Sequence, residues 1–175
     1  MACNLAGGIQ IGCRDNVGGL LTMWITDYTN IQSVTSDTGS TVTAISGTGT
    51  FYEFQLIRQT ASLTETVNAS LENGTVFYQG ELVAYFNKLA QEKRNILKTL
   101  AQSQRLAIVI EDNNGQYFYL GQTYGCFVQT GSATSGKALG DANGYNITLQ
   151  YLEPEPMNQL SGSLASIAQG ITVEG

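Results

Sequence analysis

Alternation of apolar and polar side chains, the period of a half-buried strand, recurs along most of this chain. Val42 to Ile45 leads into a Ser-Gly-Thr-Gly-Thr turn and then into Phe51-Tyr52-Glu53-Phe54-Gln55-Leu56-Ile57, an aromatic, β-prone run. From 63 to 71, Leu63, Val67, Ala69 and Leu71 share one face, while Thr64, Thr66, Asn68 and Ser70 share the other. Glu65 is the exception on the apolar side. Glu72-Asn73-Gly74 supplies a turn, and Thr75 to Phe86 resumes as a second long strand. Together they predict a hairpin of about ten residues per arm, longer than the usual strand of ~5–6 and able to reach beyond a small sandwich.

Further along, Leu106-Ala107-Ile108-Val109-Ile110 is continuously apolar, as in a central strand. An Asn114-Gly115 turn joins it to Gln116–Leu120, a strong hairpin signal, and Gly125 to Thr130 predicts another strand. Gly131 to Gly144 reads as a small-residue loop. Tyr145, Ile147, Leu149 and Tyr151 then alternate with Asn146, Thr148 and Gln150, so one face of that strand is wet or meets a polar neighbour.

A single helix is predicted at about 88–104. Leu89, Ile96, Leu97 and Leu100 fall on one side, and Glu92, Arg94, Asn95 and Lys98 on the other. The stripe suits a helix lying on one face of a sheet. The expected fold is therefore mainly β, a sandwich or barrel-like arrangement with one flanking helix, in a single domain over residues 1–156. Residues 157–175 are rich in Ser, Gly and Ala, with Leu160, Leu164 and Ile167 at helical spacing and Ile171-Thr172-Val173 behind them. That stretch is too short to fold alone. It either packs back on the domain or is an arm that orders against another subunit.

Composition changes the picture in two ways. Charged residues make up 13% of the 175-residue chain, about half the ~25% of ordinary globular domains, so Ser, Thr, Asn, Gln and Gly, or other subunits, must cover the surface. The net charge of −6 repels phosphate backbones, which argues against gene regulators and DNA-coating proteins. It remains compatible with a wall past which DNA slides. Five of the eight basic residues lie between Lys88 and Arg105, where they read as the solvated face of the helix. Met1 to Gly8 has neither the basic start nor the apolar core of a signal peptide, and no apolar run approaches the ~20 residues of a membrane span. Cys3, Cys13 and Cys126 show no metal spacing and are expected to be reduced thiols in a cytosolic product. The sequons at Asn68, Asn73 and Asn146 are then chance matches.

Candidate chemistry is sparse. The absence of histidine removes Ser-His-Asp and Cys-His activation and every His-containing metal site. Glu111 and Asp112 sit at the mouth of a hairpin, where carboxylates are solvated. Glu153 and Glu155 alternate with Pro154 and Pro156 in an extended run expected to be exposed. Gly7-Gly8, Gly12 and Gly18-Gly19 lack the order of a phosphate-binding loop, and Asp112–Gly115 and Asp141–Gly144 lack the closing Glu of a calcium loop. No catalytic, cofactor-binding or metal-binding residue is predicted, and the chain is not expected to be an enzyme. Trp24, Tyr117 and Tyr119 supply the alternative of a carbohydrate-binding sandwich, since exposed aromatic rings stack on sugars, although such rings more often fill cores.

A series of short motifs carries a resemblance. The series opens with Gly8-Ile9-x-x-Gly12-Cys13-x-Asp15-Asn16-x-Gly18-Gly19, Phe51-Tyr52-Glu53-Phe54, Glu72-Asn73-Gly74-Thr75 and Glu92-Lys93-Arg94-Asn95. It continues with Val109-Ile110-Glu111-Asp112-x-Asn114-Gly115, Tyr119-Leu120-Gly121, Gly140-Asp141-x-Asn143-Gly144-Tyr145 and Glu153-Pro154-Glu155. In that order, over about residues 3–155, they resemble the tail-tube, or major tail, proteins of tailed bacteriophages infecting Bacteroidota. None of the motifs has a chemical duty of its own. The resemblance implies a virion protein assembled in the bacterial cytoplasm, with hexameric rings stacked into a hollow tube by joined sheets. It also implies a tape-measure protein, sheath or terminator as partners, no cofactor, no membrane, and DNA passing without specific binding. Head-decoration, neck or terminator proteins of the same virion are the nearest structural alternatives.

Overall fold

The computed structural model describes residues 7–175, so Cys3 lies outside the described residues. The fold is mainly β, with two sheets and one main helix. In chain order the first strands are β1 (Leu20–Asp27), β2 (Ile31–Ser36), β3 (Val42–Gly47), β4 (Thr50–Gln55), β5 (Ser62–Ser70) and β6 (Thr75–Asn87). Helix α1 (Gln91–Gln102) precedes β7 (Leu106–Asp112), β8 (Tyr117–Leu120), β9 (Cys126–Thr134) and β10 (Gly144–Glu153). The chain finishes with β11 (Asn158–Gln159), α2 (Leu164–Ile167), β12 (Ala168–Gln169) and β13 (Thr172–Val173).

The large sheet runs β13-β4-β1-β7-β9-β10-β6-β5, with β8 also on β7 and β11 on β8. A small sheet, β12-β3-β2, lies over part of it. Strand β7 is the hub. Its side chains alternate between two cores: Leu106, Ile108 and Ile110 enter one, and Ala107 and Val109 the other, all buried. This is why the sequence there is apolar without interruption. The first core joins the β7 residues to Met23, Ile25, Leu82, Leu149 and Tyr151, with Leu100 of α1 above them. The second holds Trp24, Val42, Ile45, Phe51 and Tyr119 under the small sheet.

Residues 157–175 complete that second core. Leu160, Leu164, Ile167 and Ile171 are all buried in it, β12 pairs with β3, and β13 pairs with β4, both in parallel. The segment thus packs back on its own domain in place of extending as an arm, because its four spaced aliphatics find their cover there. Only one turn, Leu164–Ile167, is helical.

Strands β8 and β9 are halves of one path along β7. Tyr117–Leu120 pairs with Glu111–Ile108, and Cys126 then meets Leu106 before β9 moves away to pair with β10. The intervening loop is gripped from both sides. Buried Glu153 accepts the N–H groups of Thr123 (3.0 Å) and Tyr124 (2.7 Å). Arg105 donates to the carbonyls of Tyr124 (2.8 Å) and Thr123 (3.0 Å), and its guanidinium lies 3.9 Å from the Tyr28 ring centroid. Gly121 and Gly125 flank the loop with positive φ, and a Cβ on Gly121 would meet the Cys126 backbone nitrogen at 2.7 Å.

Candidate assembly surfaces and an open groove

The long hairpin forms where the sequence placed it. Strands β5 and β6 pair in register from Ser62↔Val83 to Ser70↔Thr75, and β6 continues along the whole of β10. Near the body, Leu63 and Leu82 sit in or against the first core. Farther out the same apolar face emerges into solvent, with Val67 and Val76 exposed and Leu71 at the tip fully so. Phe77, on the opposite face, is exposed as well. Strand β5 bonds only to β6, leaving the other edge of nine residues unpaired.

Glu65, the exception on the apolar face, is explained by its partners. Tyr151 of β10 stands opposite Gly80 of β6, which stands opposite Glu65 of β5. The tyrosine ring lies across the glycine, so its hydroxyl reaches two strands over and donates to Glu65 Oε2 at 2.7 Å. The Met157 N–H donates to the same oxygen at 2.9 Å. The carboxylate is structural, tying the base of the hairpin to β10 and to the start of the C-terminal segment.

The other face of this limb is polar and nearly free of charge. The registers place Asn146, Thr148 and Gln150 of β10 beside Tyr85, Val83 and Glu81 of β6, with Ser62, Thr64 and Thr66 of β5 beyond them. Glu81 is the one charged side chain in that patch. Thr148 and Gln150, expected to be wet or to face a polar neighbour, are in fact buried among neighbouring strands.

The remaining carboxylates have turn and loop duties. Asp112 accepts the N–H groups of Asn114 (2.9 Å) and Gln116 (2.8 Å), organising the β7–β8 turn. Asp141 accepts those of Lys137 and Ala138, both at 2.8 Å, and these bonds lower its pKa. Glu153 is buried, contrary to the exposure expected of the Glu-Pro-Glu-Pro run, while Glu155 is exposed; the two do not form a pair. Among the described residues no three His, Cys, Asp or Glu side chains cluster as metal ligands, and no helix is long and apolar enough to cross a membrane.

The aromatic set offered for sugar stacking belongs to the interior. Trp24 is buried in the second core and its indole N–H donates to the Glu174 carbonyl at 2.9 Å. Tyr119 is buried with a hydroxyl that finds no hydrogen-bond partner, and burial pushes its pKa up. Tyr117 is half-buried against Trp24, ring centroids 6.0 Å apart. The basic cluster is partly committed too: Lys93 donates to the Asn87 carbonyl and Arg105 to the loop described above.

One concave surface stands out. Helix α1 begins at Gln91, after Lys88 in the left-handed region, and covers the sheet incompletely. Of its expected apolar stripe only Leu100 is buried; Leu97 is half-buried and Ile96 and Leu89 are exposed. Between the helix and strands β1, β4 and β6 lies a groove of about 940 Å³, within the span of ordinary binding clefts. Ile25, Phe54, Leu56, Phe86, Ile96 and Leu97 line it, and Asp27, Glu53, Glu174 and Lys93 stand among the polar groups. The sequence pattern identified the stripe but not the gap, which depends on how far the helix stands from the sheet.

Residues 7–18 form no helix or strand and are exposed throughout. Their attachment to the body lies at the β7–β8 turn: Asn114 exchanges hydrogen bonds with the Val17 backbone (2.9 and 2.8 Å), and Asn113 Nδ2 donates to the Gly18 carbonyl at 2.7 Å. Protein-family models, curated proteins and solved structures all give no match to this chain.

Proposed function

We propose that this chain is a structural subunit that assembles with copies of itself, in the specific form of a tail-tube subunit of a tailed bacteriophage. In that reading hexameric rings stack around a tape-measure protein, with sheath or terminator proteins as neighbours, in the tail of the virion. The observation that carries it is the limb β9-β10-β6-β5. It combines a long unpaired edge with an apolar hairpin tip in solvent and a broad face whose one charge is acidic. An exposed edge of nine residues is an aggregation hazard for a monomer and a natural seam between subunits of a closed ring. A face bearing Glu81 and no Lys or Arg suits the wall of a bore, because phosphates gain no counterion-releasing contact there. The role is passive, with no bond made or broken.

Negative-stain microscopy of the concentrated protein tests the reading. Stacked rings or tubes are the expected result, with the β5–β6 limb toward the lumen. A monodisperse monomer at every concentration overturns it, and single rings that never stack move the subunit to a neck or terminator position.

A further inference from the structure

We infer that the groove between α1 and the sheet receives the N-terminal segment, residues 8–13, of a second copy of this chain. Two unpartnered features of the same molecule carry the inference. The first is the apolar groove itself, floored by the first core and open because α1 stands away from β4 and β6. The second is the segment Gly8-Ile9-Gln10-Ile11-Gly12-Cys13, in which both isoleucine side chains are 102% exposed, the same as in an isolated extended chain. In extended backbone, side chains two apart share a face, so Ile9, Ile11 and Cys13 form one apolar edge. Gly8 and Gly12 add no bulk, and nothing lies within 4 Å of where their Cβ atoms would be. Arg14 follows, and the groove offers Asp27 and Glu174 against a single cation, Lys93.

Reach limits how far the chain's own segment can enter the groove. The clamp at Val17 and Gly18 fixes the segment beside the β7–β8 turn, next to the start of β1. The inner end of the groove, at Asp27 and Leu106, is at the far end of β1, about 23 Å away at ~3.3 Å per residue. Ile11 precedes Val17 by six residues, which span at most ~20–22 Å when fully extended. Ile11 of the same chain therefore falls short of that end, and Ile9, eight residues before Val17, reaches it only when the backbone between them is drawn nearly straight. In the single chain residues 7–18 are instead exposed throughout, and a neighbour's segment has no such limit. This contact does not depend on the tube reading, since an arm-exchanged dimer or open chain of subunits would satisfy it.

The segment supplies its own probe, Cys13. In a Cys3→Ser background, Ile96→Cys places a thiol on the groove, and a short bis-maleimide joins thiols that come together. Dimer-sized and larger products on a reducing denaturing gel are expected, well above those of a Lys137→Cys control on the distant 135–143 loop. Internally linked monomer alone would overturn the second-copy assignment, and no excess over the control would overturn the groove. Ile9→Asp with Ile11→Asp changes side chains that touch nothing, so folding should be unaffected by circular dichroism. Self-association measured by sedimentation should weaken roughly a hundredfold or more, from the apolar burial of two isoleucines. Unchanged association overturns the inference. Tubes that persist in this double variant would refute the arm contact and leave the tube reading standing, whereas arm cross-links without tubes would do the reverse.

Discussion

Gly80→Ala is the sharpest test of how the hairpin is held to the body. A Cβ at this position would stand 2.0 Å from two atoms of the Tyr151 ring and 2.5 Å from its hydroxyl oxygen. The ring must move, and it is fully buried, so overpacking of this kind costs ~1–3 kcal/mol. Moving it also breaks the hydrogen bond to Glu65, and a bond to a charged group contributes ~1.5–3 kcal/mol. Replacing glycine in a strand returns ~0.5–1 kcal/mol by restricting the unfolded chain. The net loss is about 2–5 kcal/mol, or ~4–20 °C in Tm for a domain of this size. Urea unfolding followed by the fluorescence of Trp24, the single tryptophan, measures it directly. Tyr151→Phe should cost less alone and should cost still less in the Gly80→Ala background, because the bond it removes is already gone. A Gly80→Ala protein within ~0.5 kcal/mol of the parent, where ordinary surface substitutions fall, would refute the reasoning.

Three further outcomes follow from other parts of the fold. Leu164→Ala should destabilise by about 2–5 kcal/mol, as core truncations do, since the C-terminal segment is part of the second core; a neutral result in urea melts would return the segment to the status of an arm. Burial, and for Tyr151 also the Glu65 carboxylate, raises the pKa of Tyr119 and Tyr151 above the ordinary 10.0. Their contribution to stability is therefore whole below about pH 10 and is lost as pH climbs above it, and in an alkaline absorbance titration these two of the nine tyrosines should ionise only as the protein unfolds. Backbone N–H bonds lower the Asp141 pKa, so its contribution is present above the usual carboxylate range and disappears as pH falls through the lowered value. Asp141→Asn should speed amide exchange of Lys137 and Ala138 at neutral pH, and equal rates would show that the carboxylate does not hold the loop.

The parts legible in the sequence are those whose environment is set locally. The unbroken aliphatics of Leu106–Ile110 announced a central strand, and Glu72-Asn73-Gly74 marked the turn of the hairpin. Glu65 was visible as an anomaly, but its partner lies 86 residues away on a strand that does not adjoin β5. Strand β1 escaped detection because both its faces are buried against different cores, so Leu-Leu-Thr-Met-Trp-Ile has no clean alternation. Glu153 was misread for a similar reason. Prolines speak for an extended backbone, not for an exposed one, and the N–H groups that hold its carboxylate come from a loop 29 and 30 residues earlier. The groove was illegible in principle, since helical periodicity gives a face and not its distance from the sheet.

The closure of the second core by residues 160–173 sets a timetable for the nascent chain. Trp24 leaves the ribosome early, yet its hydrogen-bond partner Glu174 is 150 residues later. At ~5–20 residues per second, that interval lasts roughly 8–30 s. During it, the Trp24 face of β1, and later the Val109 face of β7, lack the cover of Leu160, Leu164, Ile167 and Ile171, and contacts of such long range also form slowly. Each nascent chain therefore passes through a stage in which bare sheet, not a finished surface, is exposed on the polysome. Correct folding depends on those last residues arriving before a second half-made copy does.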